Sequence, residues 1–117
     1  MEQATGYWEL GMFSDAWDTV ELLPPDEKTE SPVLDLRLRI LTALAQWELG
    51  EQIANLLLHA GDDERRTVAR FHHARARSFW QCERYDDARR EFRRAVEAWL
   101  EVRREFDDDD LTALFRD

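Results

Sequence analysis

The chain has 117 residues, 44% apolar and 36% charged, with only four Gly and three Pro, a balance that fits one helical domain and excludes both a disordered chain and two independent cores. Its net charge of −10 is unevenly spread: acids outnumber bases 14 to 3 from Met1 to Glu64, bases lead 12 to 7 from Arg65 to Phe106, and acids lead 5 to 1 from Asp107 onward. An acidic first half repels phosphate backbones, so nucleic acid is not an expected partner despite the Arg-rich third quarter.

Short helices are expected over about 2–11 and 13–22, each starting a residue or two after its predecessor ends. Leu23-Pro24-Pro25-Asp26 then stops the second, because neither proline donates to the helical ladder and each pushes its predecessor out of the α region. Residues 33–47, VLDLRLRILTALAQW, place Leu34, Leu38, Leu41 and Leu44/Ala45 at three- and four-residue steps, one apolar helix face, with Ser31-Pro32 in front as a cap and a first-turn proline. A shorter helix follows over about 49–59. His59-Ala60-Gly61-Asp62-Asp63 makes the next break, with Gly61 suited to a left-handed terminus and the aspartates to an N-cap. Helices over about 63–82 and 85–105 carry Val68, Phe71, Ala76 and Phe79, then Ala88, Phe92, Ala95, Val96 and Trp99, as their inward residues. The solvent face of the last helix is Arg- and Glu-rich. No period-two segment with hairpin chemistry is present, so no strand is expected.

The helices therefore come in pairs, and an internal repeat is the next question. The identical tetrapeptides Trp8-Glu9-Leu10-Gly11 and Trp47-Glu48-Leu49-Gly50 lie 39 residues apart, but this match is misleading. A better phase places an aromatic three residues before a tiny one: Phe13…Ala16, Trp47…Gly50 and Tyr85…Ala88, at spacings of 34 and 38. In this phase Tyr7, Leu41 and Phe79 coincide, as do Val20, Ala54 and Phe92, and Leu23, Leu57 and Ala95. The tiny residue is expected where the second helix of a pair passes closest to the first, with the aromatic filling space at the turn.

A two-helix unit of this length, with an aromatic, then Ala, a second aromatic four residues later and a small residue three beyond, resembles the tetratricopeptide repeat. The clearest copy is Tyr85-Asp86-Asp87-Ala88-Arg89-Arg90-Glu91-Phe92-Arg93-Arg94-Ala95, preceded by Ala76 and Phe79 at the small and aromatic positions of the first helix. Phe13-Ser14-Asp15-Ala16 with Leu22-Leu23-Pro24 is a second. The middle copy departs, with Gly50 for the usual Ala and Ala54 for the usual aromatic, and about four extra residues at 60–68 call for a longer loop or an extra helical turn. The segment from Phe106 to Phe115 looks like the short closing helix that ends many small bacterial proteins of this family, with Leu111, Leu114 and Phe115 covering the last repeat and the aspartates at its N-terminus. The resemblance implies an all-α, right-handed α-solenoid in one domain, with repeats at about 1–25, 31–60 and 63–105 and a cap at 107–117. Its concave groove, lined by the first helix of each pair, would bind a peptide or protein without catalysis.

In that register Arg70, His73, Arg77 and Gln81 share one concave face. Either they hold a carboxylate of an acidic segment or C-terminus through charge-assisted hydrogen bonds, or they are a solvated face, or Asp35 on the neighbouring helix neutralises them. Trp8 and Trp80 lie on the same side, as binding anchors or packed under neighbouring helices. Trp17, Trp47 and Trp99 are expected in core or inter-repeat contacts. The proposed groove thus runs from Trp8 through Asp35, Arg39 and Thr42 to Arg70, His73, Arg77, Trp80 and Gln81. Assembly of copies through the acidic and basic faces is the alternative.

A helical metalloprotein or enzyme is the third choice, with His59, His72, His73 and Cys82 as its reactive set, and it is not the expected one. His72 and His73 point about 100° apart on a helix and do not share one metal, and lone Cys82 forms no dyad with them that spacing certifies. Asp107–Asp110 lacks the glycine and distal Glu of a calcium loop. No cofactor motif is present, no apolar run approaches the roughly 20 residues of a membrane span, and MEQATGYWELG lacks the pattern of a secretory signal. The single Cys makes a reducing cytoplasm the expected compartment.

Overall fold

The computed structural model describes residues 2–99, and among these every regular element is helical: α1 (Glu2–Glu9), α2 (Phe13–Glu21), α3 (Pro25–Lys28), α4 (Ser31–Ala43), α5 (Trp47–Leu57), α6 (Asp62–Gln81) and α7 (Tyr85–Ala98). The closing helix expected at 107–117 lies outside the described residues. Packing follows the pairing read from the sequence, α1 with α2, α4 with α5 and α6 with α7, while α4 bridges to α2 and α6, and α6 also packs on α5.

The three turns inside the pairs have the same construction. Gly11, Ala45 and Glu83 adopt positive φ of 75°, 56° and 61°. Each is followed by a residue near φ −90°, ψ +75°: Met12 (−91°, 71°), Gln46 (−90°, 78°) and Arg84 (−93°, 74°). The amides of Met12, Gln46 and Arg84 donate to the carbonyls of Tyr7, Leu41 and Phe79 at 2.8, 2.9 and 2.9 Å, the long-range bond of a helix terminus closed by a left-handed residue. Only the first turn uses Gly; Ala45 and Glu83 hold the same geometry against the steric cost of a Cβ at positive φ. Helices α2, α5 and α7 then begin at Phe13, Trp47 and Tyr85, with Ala16, Gly50 and Ala88 buried one turn on.

Gly50 explains the departure of the middle copy. A Cβ there would stand 2.6 Å from Cε2 of Phe71, and the Phe71 ring, fully buried and 5.8 Å from the Trp47 ring, has nowhere to retreat. Helix α4 is buried along two edges. Val33, Leu36 and Ile40 join Ala4, Ala16 and Val20, whereas Leu34, Leu38 and Leu41 join Ile53, Leu57, Val68 and Phe71. Tyr85, with no described helix beyond it, stays 44% exposed.

Several local expectations are corrected. Ala45 belongs to the turn, not to the apolar face of α4. Glu30 occupies the N-cap of α4, Ser31 opens the helix and Pro32 sits in its first turn. Gly61 is extended at φ 164°, not left-handed, and takes the N-cap of α6 itself. The extra residues at 60–68 extend the N-terminus of α6. One helix was not foreseen: Pro24 and Pro25 end α2 but start the single turn α3, with Pro25 in the first turn beside Asp26 and Glu27, where a missing N–H costs nothing and carboxylates are favoured.

Substituting Gly50→Ala gains helix propensity of about 1 kcal/mol but forces the Phe71 ring aside, for a net loss of about 1–3 kcal/mol. Gly6→Ala in α1, where an added Cβ meets nothing within 4 Å, gains about 0.5–1 kcal/mol. Urea midpoints of the two variants are expected to move in opposite directions; movement of both upward contradicts the packing at Gly50.

Candidate functional site

The first helices of all three pairs contribute to one open cleft of about 170 Å3, lined by Trp8 from α1, Arg39 and Thr42 from α4, and Thr67 and Arg70 from α6. Trp8 packs its ring 5.1 Å from Phe13 and rests on the Ala4–Ala16–Val20 cluster, so it is held from below while it lines the cleft. Thr42 Oγ1 donates to its own helix at Leu38 O, 2.7 Å, and Thr67 Oγ1 to Asp63 O, 3.3 Å. A neighbouring cleft of about 320 Å3 shares Arg39 and Arg70 and adds Pro32, Asp35, Asp63, Glu64 and Arg66.

Four of the residues placed in a groove by the sequence register, Trp8, Arg39, Thr42 and Arg70, therefore line one cleft, and Asp35 lies in the adjoining one. Asp35 contacts Arg39 of its own helix, Oδ2 to Nε, at 2.9 Å, so the charge of Arg39 is partly offset from within. The remaining four lie elsewhere. His73 is 3% exposed with its ring 6.1 Å from that of Phe92; it packs between α6 and α7 instead of joining a cationic strip. Trp80 is half-buried against Ala76 and Phe92. Arg77 and exposed Gln81 lie farther along α6 and line neither cleft. Thr67, one turn before Arg70 and Phe71, was missed because its hydroxyl marked it as neither anchor nor charge.

The largest departure from the sequence reading is a buried ionic cluster joining α5, α6 and α7. His72 and Glu91, 4% and 1% exposed, meet at 2.8 Å between Nδ1 and Oε2. An ionised carboxylate only accepts, so Nδ1 carries the proton. Arg94 Nη1 lies 2.6 Å from Glu51 Oε1 and 3.1 Å from Glu91 Oε1, and Arg75 Nη1 stands 3.7 and 3.8 Å from the same two oxygens. Burial alone pushes the Glu91 carboxyl up, but the His72 hydrogen bond and the charges of His72, Arg94 and Arg75 outweigh it and hold it below the ordinary carboxylate value. The Arg94 hydrogen bond likewise holds Glu51 down against burial, aided by the charges of Arg94 and Arg75 and opposed by that of Glu91. Burial disfavours the charged Arg94, yet its bonds to Glu51 and Glu91 leave its pKa raised.

The repeat register contained a signal for this cluster. The 38-residue step sets His72 opposite Leu34 and Glu91 opposite Ile53, and Leu34 and Ile53 share one apolar cluster. The third pair thus replaces an apolar contact with a hydrogen-bonded one. Arg75 likewise matches Arg37, whose guanidinium lies 5.3 Å over the Trp17 ring, just as Arg75 reaches Glu51, the counterpart of Trp17 at the 34-residue step.

Among the described residues, no group of three His, Cys, Asp or Glu side chains is placed to hold a metal ion, and no helix is long and apolar enough to cross a membrane. No protein-family model, curated protein or solved structure matches this chain.

Glu91→Ala leaves His72 buried without its carboxylate and is expected to cost about 3–5 kcal/mol. Because the Glu91 pKa is depressed in the fold, its contribution is present above the ordinary carboxylate pKa and is lost as pH falls through the folded value. Urea melts from neutral to acid pH should show native stability falling more steeply than that of the variant. Parallel curves of equal midpoint contradict the role assigned to the cluster.

Proposed function

We propose that this chain is a protein-interaction module built from three stacked helix pairs of tetratricopeptide type, and that it binds a segment of another protein along the cleft between α1, α4 and α6. The observation that carries the reading is that cleft: each pair supplies its first helix, and one rigidly supported Trp faces two guanidinium groups with no carboxylate among the five lining residues. Trp and Arg are the residue types that concentrate binding energy at interfaces, and Arg favours carboxylates through charge-assisted hydrogen bonds. The equivalence of the three turns supports the repeat, with the pairs stacking as a right-handed solenoid. The expected partner is an extended or helical segment combining an apolar side chain with acidic ones, or ending in a carboxylate.

A second reading, self-assembly, is favoured by Leu22 and Leu56, which are 85% and 64% exposed and occupy equivalent places at the 34-residue step. Sedimentation of the native chain and of Leu22→Ser/Leu56→Ser separates the two: a dimer that the double variant abolishes favours assembly, and a monomer in both leaves the cleft reading standing.

Selection of binders from a random-peptide display library tests the cleft. Selected peptides should carry acidic residues beside an apolar one, and Arg39→Glu/Arg70→Glu should weaken them by about 2 kcal/mol or more, while Arg93→Glu at an exposed position of α7 leaves them unchanged. Equal affinity for native chain and double variant contradicts the proposal.

A further inference from the structure

We infer that the exposed sides of α2 and α5 dock a basic amphipathic helix of another protein. Neither helix contributes a residue to the two clefts that share Arg39 and Arg70, so this surface is separate from the one described above.

The repeat sets the face. On α5, Leu49, Gln52 and Leu56 fall at steps of three and four, one side of a helix, and all three are exposed. At the 34-residue step their counterparts are Asp15, Asp18 and Leu22, which are exposed as well. Leu22 stands just past the end of α2 at φ −78°, ψ −10°, so it continues the helical path and keeps the side of Asp15 and Asp18. Both helices pack on α4, and Trp17 of α2 rests against both of the apolar clusters that α4 divides. Equivalent strips are thus carried by the second helices of adjacent pairs.

Nothing in the packing of the chain accounts for the leucines. Leu22 is 85% exposed, Leu56 64% and Leu49 39%, whereas Leu38, Leu41 and Leu57 are fully buried. Covering such side chains is favourable in proportion to the apolar area taken from water.

The same leucines favour self-assembly, and the carboxylates beside them choose between the occupants. Asp15 and Asp18 lie within the α2 strip, and Glu48, one turn before Gln52, flanks the α5 strip. Asp15 and Glu48 gain from the first turns of their helices, but Asp18 lies beyond the first turn and the helix dipole does not explain it. None of the three forms an ion pair with another described residue, unlike Glu21, which Lys28 and Arg37 hold at 3.5 and 3.4 Å. A second copy docked on the same face brings these carboxylates against their own equivalents. One docked through α7 offers cations already engaged, since Arg84 and Arg90 pair with Asp87 and Arg94 with Glu51 and Glu91. A helix with an apolar stripe flanked by Lys or Arg covers Leu22, Leu49 and Leu56 and pairs the carboxylates at its rim.

The test titrates the full chain with a fluorescent peptide of Leu and Lys, about 18 residues long with Leu at helical steps of three and four, beside the same design with Glu for Lys. The Lys peptide is expected to bind, more weakly as salt rises, and the Glu peptide is not. Leu22→Ser/Leu56→Ser and, separately, Asp15→Asn/Asp18→Asn/Glu48→Gln should each weaken binding about tenfold or more. Glu2→Gln/Glu83→Gln/Asp86→Asn, which removes three exposed acids elsewhere, should leave it unchanged. In the native chain, backbone amide shifts should move at Asp18, Leu22, Leu49, Gln52 and Leu56. Absence of binding overturns the inference, and so does equal loss in the two acid variants, which signals unspecific charge attraction. Shift changes confined to Thr42 and Arg70 place the peptide in the cleft, and a dimer that the peptide fails to dissociate gives the face to a second copy; either result overturns it too. Because the cleft is tested with acidic peptides and with Arg39 and Arg70, failure here leaves that reading untouched.

Discussion

The Phe71 ring lies where a side chain on residue 50 would be, with Cε2 2.6 Å from the position of a Cβ, and the stacking of the second and third helix pairs depends on that approach. Because residue 50 has no side chain, α6 settles against both α5 and α4, bringing Val68, Ala69 and Phe71 into one apolar cluster with Leu38, Leu41 and Leu57. Close-packed interiors have no slack to absorb an extra methyl at such a point. The position of α6 in turn decides whether Thr67 and Arg70 stand opposite Arg39 and Thr42. The cleft is thus a consequence of how tightly two helices cross on the far side of α6.

The three pairs solve the same packing problem with different chemistry. Their turns are superposable in backbone angles, yet only the first relies on glycine at the left-handed residue. Where the second pair has an apolar Leu34–Ile53 environment, the third has His72 and Glu91, and the buried carboxylate is tolerable because His72, Arg94 and Arg75 surround it. A buried charge so enclosed is weak as a source of net stability but strongly penalises removal of any one member. The cluster also ties Glu51 of α5 to Arg94 of α7, whose Ala95 and Ala98 share an apolar cluster with Ile53, Ala54 and Leu57 of α5.

Much of this was legible in the sequence because it depends on spacing. The phase set by Phe13, Trp47 and Tyr85 located the turns and the tiny residues one turn later, and it aligned Tyr7, Leu41 and Phe79, whose carbonyls the structure shows accepting the turn amides. The repeat register likewise set Trp8, Arg39, Thr42 and Arg70 on one side, and they line one cleft. What was not legible depends on partners distant in sequence. Helical periodicity placed His73 on a charged face, but its burial is decided by Phe92 on another helix. Glu91 read as one more surface acid in an Arg-rich helix, because only comparison with Ile53 at the equivalent position reveals it as inward. Proline as a helix breaker was half the story at Pro24-Pro25, since the ring that ends one helix suits the first turn of the next.

The cleft exists because the first helix of each pair reaches it, α1 bringing Trp8, α4 Arg39 and Thr42, and α6 Thr67 and Arg70. The most direct measurement is through-space proton NMR on the native chain. The account predicts nuclear Overhauser contacts from the Phe71 ring to both α-protons of Gly50 and to the Trp47 indole. A Phe71 ring whose contacts are confined to α6 and α7 would contradict it.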